Sequence, residues 1–309
     1  MAALAVSACD LAGPIDPVKT PKARPPGLNV PAVKPTKRAP PSAKSDELRA
    51  YYARVMNDRL TYGLLRRDGG GVDTPFTADM LLRNFERIAF FNEYVNEPGS
   101  GRGGSSPLRR WESPVRVEAR FGASVPQSMR TRDSTALRSY SNRLARVTGH
   151  PISMSTDASA NFHVFVVSED DRPDAVQQIL QLEPQIDRSI LNAIANLGRN
   201  TYCIVVAFPR AENPYTYTRA IAIIRSEHPD LMRLSCIHEE VAQGLGLAND
   251  SPAARPSIFN DDDEFALLTT HDEALLSILY DPRLRPGISA NEARPIVRQI
   301  ANEKVGSAS

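Results

Sequence analysis

The spacing of hydrophobic positions divides the chain into a helical first part and a mixed second part. Apolar residues recur at helical spacing over residues 46–66 and 77–95, and a glycine triplet at 69–71 separates the two segments. Thr77 is a typical N-cap for the second segment. A stretch rich in glycine and serine follows at 99–107. The pattern predicts a helical N-terminal region over 46–98, followed by a hinge or a surface loop.

Beyond this stretch, short apolar runs typical of strands alternate with longer segments of helical spacing. The predicted strands are 114–121, 151–155, 162–167, 202–208 and 219–224, with 202–208 expected to be buried. The predicted helices are 134–147, 173–196, 231–245, 272–280 and 290–300. This order of elements predicts one α/β (α+β) domain over residues 107–309.

Composition excludes several classes of protein. The 309 residues are 41% hydrophobic, enough for a sizeable core, and no run of residues reaches the ~18 apolar positions that a membrane-spanning helix needs. The 37 Lys and Arg balance 36 Asp and Glu, so we expect no nucleic-acid partner. Three cysteines are too few for a disulfide scaffold.

The first residues resemble the lipobox of bacterial lipoproteins, in which small residues lead to a lipidated cysteine. Here Leu4-Ala5-Val6-Ser7-Ala8 precede Cys9, without any Lys or Arg before it. The hydrophobic part of a secretory signal is by itself ~7–15 residues long. We therefore interpret residues 1–9 as a truncated lipoprotein signal whose true start lies upstream. The alternative is an ordinary disordered tail in which Cys9 is an accidental thiol.

Residues 10–45 have the composition of a tether. From 15 to 45 the chain contains eight prolines, seven basic residues and one acid. Proline density keeps such a segment extended, and the basic charge can lie against anionic lipid head groups. Together with Cys9 as the lipidation site, this predicts a protein held at the periplasmic face of a bacterial membrane by a lipid anchor.

The segment 235–250 contains the most specific pattern of the chain. A zinc-protease motif His-Glu-x-x-His beginning at His238 fails, because its fifth position is Ala242. One residue later the register reads Glu-Glu-x-x-Gln-x-x-Gly-x-x-Asn-Asp, with Gly246 as its glycine. Residues four apart on a helix share one face, and a glycine can end the helix in the left-handed conformation. We expect the chain to double back there and bring together Glu239, Gln243, Asn249 and Asp250, with Glu240 one position further round the helix.

This register resembles the metzincin motif His-Glu-x-x-His-x-x-Gly-x-x-His. The chain also resembles an uncharacterised family of bacterial proteins of unknown function, predicted to be lipoproteins, that share Glu-Glu-x-x-Gln-x-Leu-Gly-Leu-x-Asn-Asp and the segment found here at 257–262. The family likeness covers about residues 107–287. The resemblance to metzincins implies a zincin fold with a mixed sheet and a site helix. It also implies that residues 161–165 form the edge strand that pairs with an extended peptide, and that Glu240 occupies the position of the general base.

The donor set departs from that of a zinc site. Zinc is bound by imidazole, thiolate and carboxylate, whereas a carboxylate and two amides replace the three imidazoles here. The last methionine of the chain is Met232, so the metzincin Met-turn is absent. We expect no cofactor; if a zinc or calcium ion binds, its ligands are Glu239, Gln243 and Asn249. The alternative is a polar network in which the two amides donate to the Glu239 carboxylate.

Other polar residues suggest further roles. Outside the cytoplasm Cys203 and Cys236 can form a disulfide, and buried free thiols are the alternative. Cys236 and His238 with His271 are a weakly spaced zinc set, and ordinary surface or core histidines are the alternative. The acid run at 261–264 is a solvated loop or a lining of the same cleft.

Two functions remain at this level. The first is a lipid-anchored envelope protein whose degenerate, non-catalytic metallopeptidase-like domain, a pseudo-peptidase, binds a peptide or an envelope protein in a cleft beside residues 162–167. The second is a metal-dependent hydrolase that uses Glu240 as general base with atypical ligands.

Overall fold

The computed structural model describes residues 40–91, 105–210 and 212–306, and within these ranges six strands form one mixed sheet. The strands are β1 (Arg110–Trp111), β2 (Val115–Phe121), β3 (Ile152–Met154), β4 (Phe162–Val167), β5 (Cys203–Pro209) and β6 (Thr216–Arg225). Their order is β1-β6-β4-β2-β3, all parallel, and β5 joins β6 in the antiparallel sense. The predicted α/β class with a mixed sheet is therefore confirmed.

Helices cover both faces of the sheet. The helices of the described ranges are α1 (Ala43–Thr61), α2 (Ala78–Ala89), α3 (Gln127–Thr148), α4 (Arg172–Leu182), α5 (Arg188–Ala195), α6 (Asp230–Gly244), α7 (Thr270–Leu279) and α8 (Ala290–Gly306). Side chains of a strand point alternately to its two faces. Val164 and Val166 of β4 therefore join the larger core with α2, α3, α6, α7 and α8, whereas Phe165 and Val167 pack with α4 and α5.

The helix predicted over 173–196 is two helices. α4 ends at Leu182, and α5 begins at Arg188 after a short connection that contains Pro184. Proline has no N–H to continue the helix and restricts the residue before it to extended conformations. Glu183 accordingly has φ −132° and ψ 81°.

The prediction that residues 161–165 form an edge strand is wrong. β4 lies between β2 and β6, and all six of its residues are buried. A continuous apolar run is typical of a parallel strand covered on both faces, and such a strand belongs in the middle of a sheet. The strand beside α6 at the edge is β5, which is half-exposed rather than buried as predicted.

The N-terminal helices pack onto the same domain. Leu81, Phe85 and Ile88 of α2 are fully buried in the larger core. α1 begins at Ala43 after the N-cap Ser42, inside the segment predicted as tether, and its Tyr52 packs with Met232 of α6. Cys9, the lipobox and the tether up to residue 39 lie outside the described residues, as does most of the predicted hinge.

None of the helices among the described residues is long and apolar enough to cross a membrane.

Candidate functional site

Helix α6 carries the motif and lies directly against the sheet. At Gly244 an added Cβ would be 2.5 Å from Cζ of Phe162 and 3.2 Å from Cγ2 of Val205. Because packed interiors leave no room for such an overlap, a glycine is needed for the helix to approach β4 and β5 this closely.

The chain turns sharply after α6, as the pattern predicts. Gly246 has φ +129°, in the region that side chains rarely adopt. The indole Nε1–H of Trp111 donates to the carbonyl of Gly244 at 2.8 Å, and the hydroxyl of Tyr280 donates to that of Leu245 at 3.0 Å. These two donors satisfy carbonyls that a helix leaves without intrahelical partners at its end. The side chains of Trp111 and Tyr280 therefore both stabilise the turn.

The turn brings Gln243, Asn249 and Asp250 of the predicted set into contact. Nε2 of Gln243 donates to Oδ1 of Asp250 at 3.2 Å. Nδ2 of Asn249 donates to the carbonyl of Arg87 at 3.0 Å and to that of Asp250 at 2.9 Å. Both amide hydrogens of Asn249 are thereby used, so the hypothesis that this amide donates to the Glu239 carboxylate is wrong. Asn249 instead fastens the turn to the end of α2.

A metzincin-type zinc does not fit these residues. Amide oxygens are poor zinc ligands, and here they stand where the metzincin motif has imidazoles. The amide of Asn249 is in addition fixed by two backbone carbonyls.

The carboxylates of the motif lie beside the edge strand. Within the described part of the chain, one set of three potential metal ligands has all its donor atoms within 4.8 Å of one another: Sγ of Cys203 and carboxylate oxygens of Glu239 and Glu240. Glu240 is buried, whereas Cys203 and Glu239 are half-buried. The motif thus presents two carboxylates toward the first residue of β5.

A disulfide joins the same strand to the same helix. Cys203 of β5 is bonded to Cys236 of α6, and their Cα atoms are 5.9 Å apart. These two cysteines therefore form a disulfide and are not buried free thiols. A disulfide of this kind typically contributes about 2–4 kcal/mol to the free energy of unfolding. It fixes the position of β5 relative to the Glu239–Glu240 pair.

The weakly spaced zinc set does not form, because each member has another role. The ring of His238 stacks on Tyr140 with centroids 4.0 Å apart, and its Nδ1 accepts the backbone N–H of Leu268 at 3.0 Å. His271 is fully buried, with Nε2 3.0 Å from Nδ2 of Asn84. Cys236 is in the disulfide. The alternative interpretation, core histidines, is therefore correct.

The segment 257–262, part of the family likeness, is a structural clamp on α7. The buried carboxylate of Asp272 accepts from the hydroxyl of Ser257 at 2.5 Å, the N–H of Ile258 at 3.0 Å and the hydroxyl of Thr269 at 2.8 Å. A buried carboxylate is tolerated when its lone pairs are satisfied in this way.

The acid run at 261–264 is tied to arginines. Asp263 pairs with Arg59 at 2.5 Å, and Glu264 pairs with Arg255 at 2.6 Å and with Arg66 at 3.1 Å. These contacts hold the loop against α1 and the segment after it. They assign Asp263 and Glu264 a structural role distinct from that of the Glu239–Glu240 pair.

Sequence reasoning missed a buried charge cluster under α1. Arg225 and Arg172 both contact Oε2 of Glu169, at 3.3 and 2.7 Å. The N–H of Glu169 donates to Oε1 of Glu227 at 2.7 Å, and the hydroxyl of Ser45 donates to the same oxygen at 2.8 Å, which ties α1 to the cluster. In the sequence, these charged residues lie at or shortly after the ends of the apolar runs of β4 and β6, and this position was the signal that could have indicated the cluster.

One family model matches residues 78–299, which is more than half of the chain. No curated protein matches the chain. The match begins at α2 and extends into α8, so it includes the whole sheet, the site helix and the clamp at Asp272. The chain belongs to the family described as a protein of unknown function (DUF2927).

Proposed function

We propose that this chain is a lipid-anchored protein of the bacterial cell envelope that binds an extended segment of a peptide or partner protein. Its domain is a degenerate, non-catalytic relative of the metzincin-like peptidases, and β5 is the strand that receives the segment. The observation that carries the proposal is the position of β5 at the edge of the sheet, beside the family motif on α6.

The backbone of β5 supports this proposal. β5 pairs with β6 along one side, and the described ranges contain no strand paired with its other side. An extended peptide can add to such an edge through main-chain hydrogen bonds, with side chains providing specificity. Because Ile204, Val205 and Val206 are apolar and β-branched, they favour a partner strand with apolar residues at the facing positions.

Rigidity of the edge is a second support. The disulfide at Cys203 and the close contact of Val205 with Gly244 hold β5 against α6. A pre-organised edge loses little conformational entropy when a partner binds, so more of the interaction energy appears as affinity.

Photo-crosslinking tests the binding edge. A photoreactive amino acid at Val206 is expected to capture an envelope protein in living cells, whereas the same residue at Ser153 is not. Ser153 is the matched control because it is exposed on β3, the edge strand at the far side of the same sheet. The captured segment, made as a synthetic peptide, should then slow amide hydrogen exchange over 203–209 and leave 152–154 unchanged. Equal capture at both positions, or no protection of β5, would contradict the proposal.

The lipid anchor makes a separate prediction. Replacement Cys9→Ser is expected to move the protein from the membrane fraction to the soluble periplasmic fraction, because one acyl-modified residue supplies the attachment. Intact-mass measurement of the membrane-extracted wild-type protein should show a diacylglyceryl addition at Cys9. An unmodified mass, or a variant that stays with the membrane, would contradict the anchor without affecting the proposal for β5.

The proximity of Glu239 and Glu240 favours the hydrolase as a second candidate, since paired carboxylates can serve general acid–base chemistry. Peptide cleavage by the purified chain that is abolished by Glu240→Ala and retained by Asp250→Ala would support it. Absence of cleavage in the wild-type chain, with or without added zinc, would exclude it.

A further inference from the structure

Two carboxylates of α6 lie close to a sulfur of β5. Glu239 and Glu240 are adjacent residues of α6, and each has a carboxylate oxygen within 4.8 Å of Sγ of Cys203. Cys203 is the first residue of β5. Thiolate and carboxylate are both ordinary zinc ligands, unlike the amides of Gln243 and Asn249.

We infer that reduction of the Cys203–Cys236 disulfide turns this corner into a site for a thiophilic divalent cation such as Zn²⁺, with Cys203, Glu239 and Glu240 as its ligands. In the disulfide neither sulfur is a thiolate, so the oxidised chain lacks the ligand that the site needs. The inference does not depend on peptide binding at β5.

The chemistry proceeds by thiol–disulfide exchange with a dithiol reductant. A thiolate of the reductant attacks one sulfur, breaks the Cys203–Cys236 bond and forms a mixed disulfide with that cysteine. The second thiolate of the reductant then attacks the reductant's own sulfur in the mixed disulfide, which frees the cysteine as a thiol. The chain gains two electrons and two protons as two thiols, and the reductant leaves as a disulfide. Zn²⁺ then displaces the proton of the Cys203 thiol, so that metal binding releases acid to the solvent.

The distances suit such a site after small side-chain movements. Thiolate and carboxylate ligands bound tetrahedrally to zinc lie roughly 3.5 Å apart, given metal–ligand bonds of about 2.0–2.3 Å. The donor atoms here are already within 4.8 Å of one another, so each pair has to approach by at most about 1.3 Å. A bound cation would reconnect β5 to α6 after the covalent link is lost.

A pair of variants provides the decisive test, because both lose the same disulfide and only one keeps the ligand. In the full chain carrying Cys9→Ser, Cys236→Ser leaves the Cys203 thiol, whereas Cys203→Ser removes it. Titration with Co²⁺, a spectroscopic substitute for Zn²⁺, is expected to give a thiolate-to-cobalt charge-transfer band with one ion per chain for Cys236→Ser and no band for Cys203→Ser. Equal binding by both variants, or binding by neither, overturns the inference.

Titration of the chain with its natural cysteine pair covers the case in which these variants fail to fold. With only Cys9→Ser present, we expect one Co²⁺ or Zn²⁺ per chain after reduction by a phosphine, and none before it. Glu239→Gln and Glu240→Gln should each weaken binding by more than the ~10-fold that loss of an outer-shell partner typically costs. Asp250→Asn, in the turn after α6 and outside the set of three ligands, should leave the affinity unchanged. Metal binding that is indifferent to reduction or to both glutamates overturns the inference.

Discussion

Gly246→Ala is expected to destabilise the domain more than any other single replacement of a small residue in the motif. An added Cβ would lie 2.4 Å from the carbonyl oxygen of Arg109 and 3.1 Å from Cδ2 of Leu279. The backbone there has φ +129°, which an alanine adopts only under strain. Strain of this kind costs about 1–3 kcal/mol, and overpacking of a filled interior adds about 1–3 kcal/mol. We therefore expect a loss of about 2–6 kcal/mol in the free energy of unfolding.

Gly149→Ala is the matched control for this replacement. Gly149 ends α3 with φ +66°, and nothing lies within 4 Å of an added Cβ. It should therefore show the left-handed strain alone, about 1–2 kcal/mol. Urea denaturation of both variants measures the difference. A Gly246→Ala variant no less stable than Gly149→Ala would show that the turn can move away from the carbonyl of Arg109, and that the motif does not need its glycine for close packing.

Mild acid is expected to destabilise the domain through two buried histidines. Burial lowers the pKa of both His228 and His238 to about 3 from the ordinary value of 6.5. His228 is fixed by its Nε2, 2.9 Å from the carbonyl of Tyr202, and His238 by the N–H of Leu268 on its Nδ1. Protonation of His238 at Nδ1 would abolish the second contact. Both rings are therefore neutral in the folded chain above about pH 3.

The sign of the effect follows from linkage. Between pH 6.5 and pH 3 the unfolded chain binds a proton at each imidazole that the folded chain excludes, so stability falls as the pH falls. In this window each histidine contributes a slope of about 1.4 kcal/mol per pH unit. From pH 6.5 to pH 5 the loss is about 2 kcal/mol per histidine. Carboxylates with a lowered pKa, such as Asp171, reduce the stability only at lower pH, because their pKa in the unfolded chain is near 4.

Urea denaturation at pH 7, 6 and 5 measures this slope, above the range in which carboxylates titrate. In His238→Gln, the free energy of unfolding should change less steeply with pH than in the wild type, by the contribution of one histidine. The reason is that glutamine offers an oxygen to the N–H of Leu268 and takes up no proton. His228→Gln should be less steep by a similar amount. Parallel pH profiles for all three proteins would contradict the proposed cause, whatever their absolute stabilities.

Local sequence signals predict most of the helices and strands, but they do not predict where a strand lies in the sheet or where a long helical pattern is interrupted. Thr77 was expected to begin α2, and it caps that helix by accepting the N–H of Met80. The hydrophobic pattern predicts β4 as a strand, but the edge position implied by the metzincin resemblance is wrong, since a continuous apolar run is typical of a central parallel strand. The sequence predicts one helix where the structure has α4 and α5, because the helical spacing continues across Pro184.

The candidate site shows the same division. The glycine of the motif was expected to turn the chain, and Gly246 does so. Its approach to Arg109 was not predictable, since that carbonyl belongs to a segment more than 130 residues away. Asn249 was expected to face Glu239, yet its donors are used by carbonyls of Arg87 and Asp250.

The chain by itself determined the alternation of helices and strands, the end of the site helix and the choice of oxygen donors over imidazoles in the motif. These properties follow from backbone conformation and side-chain chemistry over a few neighbouring residues. Only the tertiary structure decided that β5 is the edge strand of the sheet, that Cys203 lies beside Glu239 and Glu240, and that Asn249 holds the turn after α6 against α2. Such contacts join segments distant in sequence, and their partners are selected by the packing of the whole core.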